Sequence, residues 1–206
     1  MEQRSKEWFA ARLGKVTCSR LGCVMASGRG SKESATRRNY MSELICERLT
    51  GQRQEIPANS AMQWGTETEP LARMEYEMRM GATITEDGGK ECTEIPGFWG
   101  SPDGLIGTDG GIEIKCPNTA THLDNLLTGK IKRDYIYQMT GNLIIYNRQW
   151  WDFVSYDPRL PEDLRFCRYR YTRADLPCDE LIDGVSLFLK ELNDKLEKLK
   201  SYKEKV

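Results

Sequence analysis

Histidine is nearly absent: His122 is the single one in 206 residues. None of the seven cysteines forms a C-x-x-C pair. These scarcities argue against a His-based catalytic triad, a His-rich metal centre and a zinc or iron–sulfur site. His122 reads as an incidental surface residue, and the odd cysteine count predicts reduced thiols in a cytoplasm. Long apolar runs are missing too, so no membrane span is expected, and Met1-Glu2-Gln3-Arg4-Ser5-Lys6-Glu7 is too polar for a secretory leader. Nor does one sign of charge dominate. Lys and Arg number 30 against 31 Asp and Glu, a net charge of −1. That balance does not advertise nucleic-acid binding, yet an acidic site between basic walls would cancel in the sum. Basic clusters do occur: Arg29 and Lys32 in a Gly/Ser loop, Arg37 with Arg38, Lys130, Lys132 and Arg133, and Arg168 with Arg170. Each is read either as a solvated face or as a contact to polyanion.

Against this background, Ser101-Pro102-Asp103-Gly104 followed by Glu113-Ile114-Lys115 stands out. An Asp and a Glu-x-Lys at the end of a short apolar strand are the minimal equipment for metal-dependent phosphodiester cleavage. Two carboxylates can hold Mg²⁺, and the Ile114 carbonyl can add a third hard oxygen. Lys115 lies two residues beyond Glu113, so on a strand both side chains leave from one face. Gly104, Gly107, Gly110 and Gly111 mark a strand–turn–strand unit that would bring Asp103 to Glu113. Ile112 and Ile114 would face a core, with Glu113 and Lys115 toward a cleft. A third carboxylate would complete a site for two metals. Glu67, Glu69, Glu75 and Glu77 lie in the preceding helical region, and helical phase does not choose among them.

The chain reads as one nuclease domain over residues 1–206: a helical part to residue 80, a catalytic sheet with helices over 81–173, and a C-terminal helix over 175–200. Helices are predicted from Ser5 to Leu13, from Ser19 to Met25 and from Ser34 to Thr50. A helical region from Asn59 to Met80 is punctuated by Gly65 and Pro70, with Thr66 or Thr68 as a cap. Strands are predicted at Ala82–Thr85, Cys92–Ile95, Phe98–Ser101, Gly111–Cys116, Trp150–Tyr156 and Arg165–Tyr171, with helices near Thr121–Leu127 and Asp134–Tyr146. The tail carries Leu181, Val185, Phe188, Leu192, Leu196 and Leu199 at near-heptad spacing, a stripe for docking on the core. The loop around Gly28 and Gly30 lacks the spacing of a nucleotide-binding glycine loop, which excludes ATP binding. The fold class is α/β (α+β), a central mixed β-sheet flanked by helices.

Several short motifs then fall into order: Trp8…Arg12-Leu13-Gly14, Val16-Thr17-Cys18-Ser19, Trp64-Gly65-Thr66-Glu67-Thr68-Glu69, Ser101-Pro102-Asp103-Gly104-Leu105, Glu113-Ile114-Lys115-Cys116-Pro117, Tyr135…Gln138 and Tyr156-Asp157-Pro158-Arg159. Across nearly the whole chain this pattern resembles the phage lambda-type recombination exonucleases, the YqaJ-like branch of the restriction-endonuclease-like nucleases. The resemblance implies that Glu69 is the helix-borne metal ligand, that Asp103, Glu113 and the Ile114 carbonyl are the central ones, and that Lys115 is the catalytic lysine. It further implies that Arg12, Ser19 and Ser101 grip a terminal 5′-phosphate, that Tyr135 and Gln138 lie near the active site, and that Arg29 sits in a loop touching DNA. A guanidinium with two hydroxyls suits a phosphorylated end. The amino-terminal segment is shorter than in the lambda enzyme, and the tail diverges into a Lys/Glu-rich helix.

The implied activity is a Mg²⁺-dependent 5′→3′ exonuclease on duplex DNA, with two metals, Mn²⁺ as a substitute, mononucleotide products and a 3′ single-stranded tail. The implied partners are duplex ends with a 5′-phosphate, two further copies in a homotrimeric ring, and a single-strand-annealing recombination protein; no membrane is involved, and the setting is a phage- or prophage-bearing bacterial cytoplasm. The alternatives are a sequence-specific restriction or repair endonuclease on the same core, or a non-catalytic DNA-binding protein.

Overall fold

The computed structural model describes residues 1–28, 34–53 and 59–203. Arg29 and Lys32, with most of the loop expected to touch DNA, lie outside the described residues. Ser5 caps α1 (Lys6–Ala11) by accepting the Trp8 N–H, the usual role of a short hydroxyl side chain at a helix start. After β1 (Val16–Thr17) and a 3-10 turn comes α2 (Leu21–Val24). Helix α3 (Ala35–Thr50) is capped by Ser34 and stops at Gly51, where φ is +68°, a conformation that glycine adopts without a Cβ clash.

Helix α4 (Ser60–Met80) runs unbroken through Pro70 from an Asn59 cap. This corrects the expectation of a helix start at Thr66 or Thr68. The Thr66 hydroxyl bonds back to the Met62 carbonyl at 3.0 Å and so caps nothing. Pro70 forfeits one backbone bond, a loss offset by burial of Thr68, Ala72, Glu75 and Tyr76 along one side of the helix.

Six strands and two helices follow: β2 (Ile84–Thr85), β3 (Lys90–Glu91), β4 (Phe98–Gly100), β5 (Gly104–Ile106), β6 (Gly110–Lys115), α5 (Thr119–Thr128), α6 (Arg133–Ile145) and β7 (Trp150–Tyr156). The last pair is β8 (Phe166–Thr172) and α7 (Cys178–Lys203). The strand expected at Cys92–Ile95 forms instead at Lys90–Glu91. Residues 92–98 close a tight loop, with the Cys92 N–H on the Phe98 carbonyl and the Gly97 N–H on the Glu91 carboxylate.

A small sheet orders its strands β1-β4-β3, and the larger one β2-β5-β6-β7-β8. Strands β6 and β7 are parallel, joined through α5 and α6, while the outer pairs are antiparallel. This is the mixed sheet flanked by helices that the pattern predicts. One face of the larger sheet carries Ile112, Ile114, Val154 and Tyr156 against Ala72 and Tyr76 of α4. The other carries Trp151 and Phe153 against α2, α3, α6 and α7. On α7, Leu181, Val185, Phe188 and Leu192 are fully buried, each contributing about 1.5–3 kcal/mol, so the stripe docks on the core. Among the described residues no helix is long and apolar enough to cross a membrane.

Two surface expectations are corrected. His122 is fully buried, its Nδ1 at 2.8 Å from the Ser155 hydroxyl and its Nε2 at 2.8 Å from the Leu164 carbonyl. Arg168 and Arg170 both turn onto the fully buried Asp152, at 3.1 and 2.8 Å, where Tyr76 also donates at 2.7 Å. A buried carboxylate demands such partners, so this pair balances an internal charge. All seven cysteines are free.

Candidate active site

The site is assembled at the ends of β5 and β6 by their antiparallel pairing, which places Gly104 opposite Ile112. Asp103, just before β5, thereby reaches the next strand, and its Oδ2 accepts the Ile114 N–H at 2.6 Å. Glu113 and Lys115 point to the sheet face that α6 covers, opposite Phe153 and Ser155 in register. Their side chains form an ion pair with each other. Glu113 is not in an open cleft; it is fully buried, while Lys115 reaches solvent.

Helix α4 brings in Glu69. Arg73, one turn later, donates to the Asp103 carbonyl at 2.6 Å and stands 3.5 Å from Glu69. Arg4 approaches Glu69 from the other side at 3.7 Å. The remaining helix carboxylates are otherwise engaged: Glu67 with Gln63, Glu75 with Arg79 and Arg165, and Glu77 with the Ile84 N–H. Geometry therefore singles out Glu69. A cavity of about 870 Å³ is lined by Glu69, Asp103, Ile114, Lys115, Tyr135 and Ser19 among others. Tyr135 stacks on Phe153 and lies 5.3 Å below the Lys115 ammonium.

The electrostatics call for a cation. Burial, with the Asp103 carboxylate beside it, pushes Glu113 up to about 8 against the pull of Lys115. Burial and Asp103 likewise raise Glu69, opposed by Arg4 and Arg73. Burial alone would lower Lys115, but Glu113 and Asp103 outweigh it and the ammonium is held more firmly than usual. One oxygen of Glu113, Oε2, is buried with no hydrogen-bond partner. An orphaned buried carboxylate oxygen is expensive, and a hard divalent ion is the partner that two carboxylates and a carbonyl would accept. Among the described residues no three acidic, cysteine or histidine side chains are already gathered around one point. The fit therefore rests on the Asp103, Glu113 and Ile114 oxygens, with Glu69 across the cavity.

Arg12, Ser19, Ser101 and Gln138 line a smaller adjoining cavity of about 150 Å³, which also touches Asp103. Arg12 lies over the Trp8 ring at 4.0 Å, and its N–H groups have no acceptor among the described residues. Burial, with Arg53 nearby, lowers its pKa from the usual arginine value. A guanidinium so placed is ready for an anion. Among the described residues the Ser19 hydroxyl has only a 3.4 Å contact to the Thr17 hydroxyl. Ser101 is more committed: its oxygen accepts from the indoles of Trp8 and Trp99 at 3.1 and 2.8 Å, and its hydroxyl faces the Gly88 carbonyl at 3.3 Å.

Arg4 and Arg73 escaped the sequence reading. Arg73 had a signal, its four-residue spacing from Glu69 on a helix. Arg4 had none, because nothing local foretells that its backbone turns left-handed, at φ +70°.

Comparison with known proteins bears on the family and the fold. The chain matches the YqaJ-like viral recombinase domain over residues 7–149. It is 49% identical to an alkaline exonuclease, LHK-Exo, from Laribacter hongkongensis, with 98% of this chain and 99% of that one covered at a TM-score of 0.89. The structure of LHK-Exo in complex with dAMP is matched at 51% identity, with the same coverage and a TM-score of 0.90. A phage-related exonuclease from Haemophilus somnus 129PT shares the fold at a TM-score of 0.70 and 18% identity, over 91% of this chain and 96% of that one. Comparison with curated protein sequences gives no match.

Proposed function

Because this chain belongs to the YqaJ-like viral recombinase family, we propose that it is a Mg²⁺-dependent 5′→3′ exonuclease that digests one strand of duplex DNA. It releases mononucleotides and leaves a 3′ single-stranded tail. The observation that carries this reading is the convergence of Asp103, Glu113, the Ile114 backbone and Lys115 at the end of one hairpin, beside Glu69. Asp103, Glu113, Ile114 through its carbonyl, and Glu69 would hold the metal, Mg²⁺ with Mn²⁺ as a substitute. Ions held there would supply Lewis acidity to the phosphate and lower the pKa of a water.

The protein's own groups do the rest. Lys115, fixed against Glu113 and above Tyr135, orients the attacking water through its ammonium, and it would take part in the deprotonation only once a divalent ion held beside it eased its own proton loss. Arg12 and Ser19 hold the terminal 5′-phosphate, with Ser101 as the wall that fixes Trp8 and Trp99 behind it. Gln138 lines the same cavity from α6. This end-binding cavity adjoins the carboxylates, which favours an exonuclease over an endonuclease on the same core. The relative bound to dAMP, a deoxynucleoside monophosphate, fits release of mononucleotides here.

A ring of three copies around the duplex, and hand-over of the tail to a single-strand-annealing protein, complete the proposal by family. Leu71, Met74 and Met78 form an exposed apolar stripe on α4, surface that a subunit contact would use. The test is digestion of linear duplex bearing 5′-phosphate or 5′-hydroxyl ends beside closed circular duplex, with and without Mg²⁺. Loss of the phosphorylated linear duplex alone supports the reading; cutting of closed circles would replace it with an endonuclease.

A further inference from the structure

Two residues of the sequence motifs, Trp64 and Arg159, have no role in the hydrolysis just described, and the fold brings them into contact. Trp64 is on α4, and Arg159 follows Asp157 in the connection between β7 and β8. The Arg159 guanidinium carbon lies over the Trp64 ring, 4.4 Å from its centroid. Its edge is held by the fully buried Asp157: Nε donates to Oδ1 at 2.6 Å and Nη2 to Oδ2 at 2.9 Å. Nη2 also reaches the Pro117 carbonyl at 3.4 Å, and the Thr119 hydroxyl donates to Asp157 at 2.7 Å. Helix α4, the exit of β6, the start of α5 and the β7–β8 connection thus all meet at this Arg159–Asp157 pair.

That arrangement narrows what the arginine can bind. Asp157 already balances its charge, and three of its N–H groups are directed to Asp157 and Pro117. Trp64 backs one side of the guanidinium. The other is available, since the side chain is 48% exposed, and both residues line the cavity of about 870 Å³ that holds Glu69, Asp103 and Lys115. A phosphate prefers an arginine whose edge is free. A planar π system prefers one whose face is free, and single-stranded or splayed bases stack on guanidinium planes in this way.

We propose that the outer face of Arg159, backed by Trp64 and fixed by Asp157, is a stacking site for one nucleobase of the strand being digested. It rests on the exonuclease reading and deepens it. The site recognises a flat base of any identity, so it steadies the nucleotide next to the cut without imposing a sequence.

The test uses duplexes with a 5′-phosphate carrying a single abasic nucleotide at the first, second or third position. Wild type is expected to lose about tenfold in kcat/KM, carried in KM, at one of these positions, in line with the worth of a stacked base. Binding of the same duplexes in EDTA, where nothing is cut, should weaken at that same position. Arg159→Lys keeps a cation for Asp157 and removes the plane. It should bind the intact duplex as weakly as wild type binds the abasic one, with no further loss at the abasic site. Equal losses at all three positions, or Arg159→Lys behaving as wild type, would overturn the stacking site. No digestion of intact duplex by wild type in Mg²⁺ would instead sink the exonuclease reading, and the two failures are read from different arms. The abasic series needs no variant, so a folding defect in Arg159→Lys leaves it decisive.

Discussion

The Asp103 carboxylate accepts the Ile114 N–H at 2.6 Å, so one side chain both closes a hairpin and faces the candidate metal site. Its other oxygen is left for a cation. Structure and chemistry can be separated here, because an amide oxygen accepts the same bond without carrying the charge. Asp103→Asn is expected to melt within a few degrees of wild type while cleavage falls at least about a hundredfold, the scale of a lost charge-stabilising group. Thermal melts and single-turnover digestion check the two halves.

Arg12 is the group ready to read the end of the strand. Arg12→Ala should reduce the preference for 5′-phosphate over 5′-hydroxyl ends by about tenfold or more, the worth of a charge-assisted contact. Binding to internal duplex should change little. Equal losses on both end types, measured by competition between the two substrates, would remove Arg12 from that role.

Arg168 and Arg170 are expected to serve stability and not DNA. Replacing both by alanine strands the buried Asp152 with Tyr76 as its remaining partner, at a cost of about 3 kcal/mol. Urea unfolding should show the loss, while the folded fraction binds duplex with an unchanged dependence on salt. A shallower salt slope would return these residues to the polyanion surface.

The contrast between those two arginine sites shows what was legible in the sequence. Asp103, Glu113 and Lys115 could be placed because strand periodicity and one turn fix their relation locally. Helical phase alone could not choose Glu69 over Glu67, Glu75 or Glu77; the family resemblance pointed to it, and in the fold Arg73 and the Asp103 backbone fix the helix against the hairpin. Arg168 and Arg170 looked like a basic patch because nothing nearby reveals that Asp152, on the neighbouring strand, is buried and needs them. His122 was misplaced for the same reason: its partners Ser155 and Leu164 are distant in sequence. The glycines were legible as a strand–turn–strand unit, although they serve different ends. Gly107, at φ +52°, is a turn residue, but Gly111 lies inside β6, where a Cβ would collide with the Trp151 ring. The Pro70 interruption failed because a buried helix face outweighs one lost backbone bond.

Glu75 offers a stability measurement remote from the metal. Burial would raise its pKa, but hydrogen bonds from Arg79 and Arg165 prevail and hold it below the usual glutamate range. A folded-state pKa below the unfolded one means that the stabilisation is present above the unfolded value, about 4.3, and is lost as pH falls through the folded one. Glu75→Gln should therefore cost about 1–3 kcal/mol at pH 7. The gap to wild type should close as the medium is acidified below the glutamate range, and a gap independent of pH would show that the charge contributes nothing.

The central claim is that Lys115 works in the chemical step beside a metal held by Asp103 and Glu113. Its most direct test is digestion of 5′-phosphorylated linear duplex by wild type and Lys115→Ala in Mg²⁺, with duplex binding measured in EDTA. The expected result is hydrolysis by wild type that stops on chelation, a fall of about a hundredfold to ten-thousandfold in Lys115→Ala, and binding within a fewfold of wild type. Turnover by Lys115→Ala near the wild-type rate, or wild-type cleavage that persists in EDTA, would contradict it.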